Sequence, residues 1–412
     1  MKVDKYILNT LNKQTIINLI RSTPGIHRAE LSRISGLSMP SVMRITGEFI
    51  RKGLVRDLGR GESSGGKPPQ LMEFIPDCRY AAGIDVGATN ISAILMDLSA
   101  RIVRKHSIPT GVKEGPAKVI GRVLEAMVSV LQGPGIEPDK ILGIGIGMPG
   151  LIDPQTGMAL FSPDFGWENV DVVRPVEKRF GLPVIIDNVT RSMAMAERWF
   201  GAGRDVDNFM CINLGYGIGA AMVIDGELYR GNSGSSGEFG HITMERNGPP
   251  CSCGNRGCLE ALSSGNAIAE RAKALAGGAA SSLMLRLAGG DAGAIDACVV
   301  FDAARGGDPA AVKIISEALD FLGTAIAGII NFMDPKVIIL EGGVTKAGDI
   351  LSNGISRAIR QRQMKHAGKD TNIVISLLGD YAAAIGAASF HLKAFIESGG
   401  ELSAKASRRV KS

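Results

Sequence analysis

The sequence predicts an α/β protein in two parts. A small winged helix-turn-helix module comes first, and two α/β lobes with a cleft between them follow. Three observations lead there. The excess positive charge lies in the first fifth of the chain. A strand, glycine turn, strand pattern occurs at residues 81–98 and again from Phe209. A cluster of three cysteines and a histidine lies late in the chain, between Gly237 and Glu260.

The length of 412 residues allows two or three domains, and a hydrophobic fraction of 45% with 21% charged residues is that of a soluble globular protein. No apolar run approaches the length of a membrane span, so no membrane partner is expected. The first residues, M-K-V-D-K-Y-I-L-N-T, lack a signal-peptide core, and cytoplasm is the expected location. Residues 1–78 hold 12 Lys/Arg against 7 Asp/Glu, so this stretch carries the whole net charge of +5. A basic module on a neutral body is the layout expected when one module meets nucleic acid.

Within residues 1–78, Gln14–Ser22 reads as a helix with Ile16, Leu19 and Ile20 on one face, ended by Pro24-Gly25. Arg28–Ile34 is a short helix expected to bury Leu31 and Ile34, and Ser35-Gly36-Leu37 is a tight turn. Ser38 is an N-cap, Pro40 fits the first turn, and a helix runs to about Lys52 with Val42, Ile45 and Phe49 inward. Helix, glycine turn, helix is the helix-turn-helix pattern. Ser38, Met39, Ser41 and Arg44 face outward at the start of the second helix, where short polar or flexible side chains approach base edges and phosphates. L-V-R-D-L, a glycine-rich loop and Q-L-M-E-F-I then read as a wing, with Arg60 and Lys67 placed to reach a minor groove. The expected partner is double-stranded operator DNA. A helix-turn-helix used for protein contact is the competing reading.

The first lobe is expected over 79–200 and the second over 201–395, with a metal loop at 241–258 and a disordered tail at 396–412. Asp85, Gly87 and Thr89 are expected in the turn of the first hairpin. A D-x-G-x-T turn can hold phosphate oxygens, and a carboxylate there can position Mg2+. A plain β-hairpin explains the same residues equally well. Strands Ile102–Ser107, Ile141–Gly147 and Val184–Ile186 alternate with helices Ala117–Leu131 and Thr190–Phe200. After the second hairpin come helix Pro309–Phe332, strands Val337–Leu340 and Ile373–Leu377, and helix Ala382–Ala394.

Cys251 and Cys253 are separated by one serine, and Cys258 follows a Gly-Asn-Arg-Gly turn. With His241 ten residues upstream they form a Cys3His set, for which zinc is the natural ion. A disulfide loop or three buried thiols are the alternatives. A Cys251–Cys253 bridge would close a small strained ring. A loop so poor in apolar side chains gains its stability from a metal.

Together these residues resemble the ROK family (repressors, open reading frames and sugar kinases). The resemblance rests on D-V-G-A-T-N at 85–90, G-I-G-M-P-G-L-I-D at 145–153, N-L-G-Y-G-I-G at 213–219, G-E-F-G-H at 237–241 and C-S-C-G-N-R-G-C-L-E at 251–260. It implies a duplicated actin-like ATPase fold of ribonuclease H-like lobes, zinc on His241, Cys251, Cys253 and Cys258, and a sugar site in the cleft. The sugar contacts it implies are Glu238, His241, Glu260 and Asn188, with Asp164 where an asparagine is usual. The fused winged module places the chain with the repressor branch.

Two departures from the family's kinases bear on chemistry. Aligned on Glu197, Val189 stands at the position of the catalytic aspartate and Arg191 at that of a second asparagine. A valine cannot take a proton from a sugar hydroxyl. Asp187 is one residue from Asn188 and is expected to face the other way. Tyr216 replaces the threonine of the second phosphate loop. The expected function is therefore a sugar-responsive transcriptional repressor of carbohydrate metabolism with no catalytic residues, and the alternative is an ATP-dependent sugar kinase of hexokinase type. Asp85, Gly87, Thr89, Gly215 and Gly217 would be a vestigial nucleotide site, with ATP and Mg2+ not expected. A sugar or sugar phosphate is the expected effector, and a homodimer or homotetramer the expected assembly.

Overall fold

The computed structural model describes residues 5–61, 69–276 and 282–401. The N-terminal module opens with α1 (Lys5–Ser22), which starts well before Gln14. Its early apolar residues Tyr6, Ile7, Leu8 and Leu11 are exposed, so no inward stripe marks that first part of the helix. A short strand β1 (Ile26–His27) leads into α2 (Arg28–Ser35) and α3 (Met39–Arg51). The His27 Nδ1 accepts the Glu30 N–H at 3.2 Å and caps α2. Gly36 ends α2 at φ +70°, donating its N–H to the Ser32 carbonyl, a left-handed turn that glycine makes without strain. Val42, Ile45 and Phe49 are fully buried against Ile16, Ile20 and Leu31. Ile34, expected inward, is 47% exposed. The wing is β2 (Val55–Arg60) and β3 (Gln70–Phe74), in a sheet of order β1-β3-β2.

The body holds two sheets of the same topology. In the first, β4 (Tyr80–Val86), β5 (Asn90–Asp97) and β6 (Ile102–Pro109) form an antiparallel meander, and β7 (Ile141–Met148) pairs in parallel with β4. A small three-stranded sheet of β8 (Leu151–Asp153), β9 (Met158–Ser162) and β10 (Trp167–Asp171) precedes the edge strand β11 (Val184–Asn188), parallel to β7. Helices α4 (Pro116–Leu131), α5 (Val173–Phe180) and α6 (Val189–Phe200) complete this part. In the second sheet, β12 (Phe209–Leu214), β13 (Ile218–Ile224) and β14 (Glu227–Tyr229) form the meander, and β15 (Val337–Glu341) and β16 (Asn372–Ile375) add in parallel beside β12. The orders are β6-β5-β4-β7-β11 and β14-β13-β12-β15-β16. The repeated hairpin in the sequence is thus the start of a repeated whole sheet.

Between β14 and β15 lie α7 (Leu259–Ser263), α8 (Gly265–Ala276), α9 (Leu283–Leu287), α10 (Ala297–Arg305) and α11 (Pro309–Met333). By length and composition α11 could cross a membrane, but Ile314, Leu322 and Ile326 are buried in the second lobe's core. Helix α12 (Asp349–Arg362) packs on it.

The last helix, α13 (Ala382–Glu397), departs from the expected partition. It follows the second sheet in sequence but packs on β4, β7 and α6 of the first lobe. Gly83 and Gly145 make this possible, since a Cβ at either would run into the carbonyl oxygens of Ala384 and Ala387. The far end of α13 buries Leu392, Phe395 and Ile396 among Ile16, Ile17, Ile20 and Leu54 of the N-terminal module. The tail is therefore ordered further than expected. The helix runs to Glu397, and Glu401 joins Lys13 at 3.1 Å, while Lys13 and Lys52 both hold Glu48 at 2.7 and 2.8 Å. Residues 402–412 lie outside the described residues.

Candidate functional site

Two sites are built on this frame. The first is the exposed start of α3. Ser38 and Met39 are solvent-facing, and the Ser38 and Ser41 hydroxyls lie 3.0 Å apart. The Ser38 side chain makes no cap bond, so it caps α3 by backbone position alone. Arg44 is exposed and donates to Asn9 Oδ1 at 2.7 Å, which aims its guanidinium along the outer face. Met43, 57% exposed, joins this surface, though as an apolar side chain next to the buried Val42 nothing in its residue type marks it as outward-facing. Arg60 is exposed at the end of β2, and Lys67 lies outside the described residues.

The second site is the cleft between the two sheets, a cavity of about 770 Å³. It brings together Asp164, Asn188, Glu238, His241 and Glu260 with Asp85, Gly87, Thr89, Gly215 and Gly217. Strand ends and the turns after them position most of these groups, as expected at the carboxyl edges of a doubly wound sheet. Glu260 stands in the first turn of α7, where its Oε2 accepts the Ile218 N–H at 2.9 Å. Gly217 has no Cβ because that carboxylate occupies the space. Asp164 sits in a short turn, and burial together with the Glu260 charge pushes its carboxyl up to about 6. Burial also raises Glu238. Asn188 is largely committed within the protein. Its Oδ1 caps α6 through the Thr190 N–H at 2.8 Å, and its Nδ2 donates to the Gly150 carbonyl at 3.0 Å. One amide hydrogen remains for a ligand.

The nucleotide-type loops are closed on themselves. Gly87 donates its N–H to the Asn90 carbonyl and Gly215 to the Gly217 carbonyl, both at 3.0 Å. Asp85 was expected in the turn but stands on β4, with Oδ1 buried and unpartnered, and burial pushes its carboxyl up to about 7. Glu341, at the end of β15, also lines the cleft. Burial and the nearby Glu197 push it up to about 8. Sequence reading passed over Glu341 because nothing local distinguishes it from a surface carboxylate after an apolar strand.

Val189 lines the cleft at the start of α6. Asp187 does not take over its position. It is fully buried, with Oδ1 held by Arg191 Nε and Oδ2 by Arg230 Nη2, each at 2.6 Å. Arg191 also donates to the Gly234 carbonyl at 2.9 Å and so ties down the loop that leads to Glu238. With both oxygens engaged in these ion pairs, Asp187 does not line the cleft.

One wall of the cleft is the His241, Cys251, Cys253, Cys258 cluster, whose ligand atoms all lie within 4.8 Å of one another. Cys251 Sγ is 3.6 Å from His241 Nδ1, and Cys253 Sγ is 3.8 Å from Cys258 Sγ. A tetrahedral zinc with its usual bond lengths would need edges of about 3.6 Å (S to N) and about 3.8 Å (S to S). The four residues fit the ion. The loop is pre-shaped by the Cys251 N–H to Asn255 carbonyl bond at 2.8 Å and by Gly254 and Gly257 at positive φ. His241 turns its other nitrogen, Nε2, toward Glu238, 3.8 Å away.

Comparison with known proteins agrees with this geometry. Residues 10–56 match the winged helix-turn-helix DNA-binding model, and residues 81–394 match that of the ROK family. The chain is 30% identical to the xylose repressor of Caldicellulosiruptor bescii over 380 residues, 92% of this chain and 95% of that one. It is 37% identical to the glucokinase of Thermotoga maritima over 308 residues, 74% of this chain and 95% of that one. Among solved structures, a ROK family transcriptional regulator homologous to the E. coli MLC protein superposes with a TM-score of 0.79 at 28% identity, covering 97% of this chain and 99% of that one. The duplicated actin-like body, the winged N-terminal module and these matches establish that the chain belongs to the ROK family.

Proposed function

We propose that the protein is a sugar-responsive DNA-binding transcriptional repressor of carbohydrate metabolism, acting without phosphotransfer. The observation that carries this reading is the path of α13. Ala382 and Ala383 at its start line the cleft, and Leu392, Phe395 and Ile396 at its end are packed into the DNA-binding module. A ligand that changes the closure of the two sheets moves one end of a helix whose other end carries the module.

In the cleft, Asp164, Glu238 and Glu260 present acceptors, and Asn188 and His241 present polar groups, to the hydroxyls of a pyranose. Each hydroxyl both donates and accepts, so such a constellation holds one orientation. Zinc on His241, Cys251, Cys253 and Cys258 is structural. When bound it fixes the histidine tautomer and ties the Glu238 and Glu260 ends of the loop together. On the DNA side, Ser38, Met39, Ser41 and Arg44 enter the major groove, and Arg60 and Lys67 of the wing reach a minor groove. Sites for such modules come in pairs, which supports a homodimer or homotetramer, and a DNA-binding role supports a cytoplasmic location. Val189 at the base position and the two arginine ion pairs on Asp187 support a body without kinase chemistry. The residues Asp85, Gly87, Thr89, Gly215 and Gly217 are then a vestige of a nucleotide site.

A thermal-shift screen of the full chain over sugars, with and without ATP and Mg2+, tests this reading together with a coupled assay for ADP. The expected result is a rise in melting temperature with a sugar alone and no sugar-dependent ADP formation. Sugar-dependent ADP release would favour the kinase instead.

A further inference from the structure

The parallel strands of both sheets end at the cleft, where Pro149, Asn213 and Glu341 line the cavity, and they start at the opposite edge. The DNA-binding module sits against that starting edge. Leu142, one residue into β7, packs on the module's cluster of Ile16, Ile20 and Leu54. Arg21, at the end of α1, lies over the Trp199 ring, 4.2 Å from its centre, and feels the charge of Arg204. From the Arg204 loop the same edge runs on into the second lobe. The Asn208 carbonyl accepts the Lys336 N–H at 3.1 Å, and the Lys336 carbonyl accepts the Asn372 N–H at 3.0 Å.

That continuation is basic and unpaired. Arg357 and Arg360 stand on the exposed side of α12, Lys365 and Lys369 follow on the loop to β16, and Lys336 precedes β15. All are exposed, and none has an ion-pair or hydrogen-bond partner for its side chain among the described residues. Asp320 is taken by Arg362 at 2.8 Å, and Asp334 and Asp370 on the same loops are too few to offset the rest. An ordinary solvated face intersperses both signs. Other helices of this chain do so, with Glu270 beside Lys273 and Asp302 beside Arg305. Bare like charges repel one another, and a polyanion laid across them removes the repulsion. Two apolar side chains stand among these cations, Phe332 at 87% and Met364 at 63% exposure. The Met364 N–H, bound to Asn331 Oδ1 at 2.9 Å, joins their two segments.

The geometry points to a second DNA contact, on the body: the starting edge of the second sheet, through Lys336, Arg360, Lys365 and Lys369, holds phosphate backbone that α3 does not touch. Exposed ammonium and guanidinium groups on loops and a helix face suit a phosphate backbone and read no sequence. The edge is continuous with the module that carries α3, which is what favours a duplex as the polyanion. The backbone is either the flank of the operator or a second segment of duplex, and the chemistry is the same for both. This rests on DNA binding by the module and goes beyond it, and sugar sensing does not enter.

Fluorescence anisotropy of the full chain tests it with two duplexes from the protein's own promoter region. One is the shortest that keeps full sequence preference, and the other extends it by about two helical turns, ~20 base pairs, on each side. A third arm adds an unlabelled duplex of unrelated sequence to the saturated short complex and looks for a larger species on a gel. The wild-type chain should bind the long duplex about tenfold tighter than the short one at low salt if the flank is held. It should form the larger species if a second segment is held. The variant Arg360→Ala, Lys365→Ala, Lys369→Ala should lose whichever gain is seen. Where the flank is held, its salt slope on the long duplex should flatten by about 2 to 3, with the short duplex bound as before. The single variant Lys369→Glu, on an exposed loop, should weaken the same gain and guards against misfolding of the triple one. No gain in either arm, or a gain that both variants keep, overturns the proposal while leaving the module's DNA binding intact. Pelleting of the wild-type chain with phosphatidylglycerol vesicles that the triple variant loses, with DNA binding unchanged, assigns the edge to a lipid surface and also overturns it. If neither duplex binds, DNA binding by the module fails and this proposal fails with it.

Discussion

At the scale of residues, function in this chain depends on a few side chains whose partners fix what they can do. Asp187 is the clearest case. It stands one residue from the place where a kinase of this family keeps its base, yet both its oxygens are taken by arginines. The Arg191 replacement was visible in the sequence. Arg230, the other half of the lock, was not, because it comes from a loop far along the chain. The metal cluster was fully readable, since four ligands on one short loop need no long-range folding to meet. Metal analysis of the purified chain should find one zinc per protomer, and Cys258→Ser should lose it and respond to sugar more weakly. Cys258 is buried and its loop has little apolar packing, so the same variant should also melt earlier.

Glu341 gives a residue-scale prediction in pH. Its folded value of about 8 lies above the ordinary 4.5, so the fold favours the neutral carboxyl. The stability this group contributes is complete below about pH 4.5 and is lost as pH rises through about 8. Glu341→Gln, which keeps the shape and removes the charge, should raise the melting temperature more at pH 9 than at pH 5. An equal effect at both values would mean that the carboxyl is solvated.

At the scale of elements, α3 and α13 differ in how far sequence explains them. For α3, the cap position, Pro40 and the spacing of Val42, Ile45 and Phe49 are local, and the helix ends within one residue of expectation. The helical character of α13 was equally plain, but its neighbours were not. A helix reading A-A-A-I-G-A-A-S is buried on nearly every side, so its pattern does not say against what. The complement lies in Gly83 and Gly145, in strands hundreds of residues earlier, and in Gly386, where a Cβ would meet the Ser192 carbonyl. Phe395→Ala tests α13 as the link. The side chain is 3% exposed, and truncation should cost about 3 kcal/mol of stability, read by denaturant melts. If α13 couples the sites, the variant should keep sugar binding in the cleft while the change in DNA affinity shrinks.

At the scale of the whole molecule, charge and topology divide the labour. The net positive charge sits on the DNA-binding module, the acidic side chains gather in the cleft, and α13 joins them. DNA affinity should therefore fall steeply with salt, and Arg44→Ala should weaken binding and flatten that dependence by removing a phosphate or base contact. Sugar affinity in a cleft with few exposed ion pairs should change much less over the same range. The most direct test is fluorescence anisotropy of a labelled duplex from the protein's own promoter region, titrated at fixed salt with and without the sugar or sugar phosphate that binds best. The account predicts a change in DNA affinity of about tenfold or more for the wild-type chain, and none for Glu238→Gln at the same sugar concentration. The same affinity with and without every sugar that binds would contradict it.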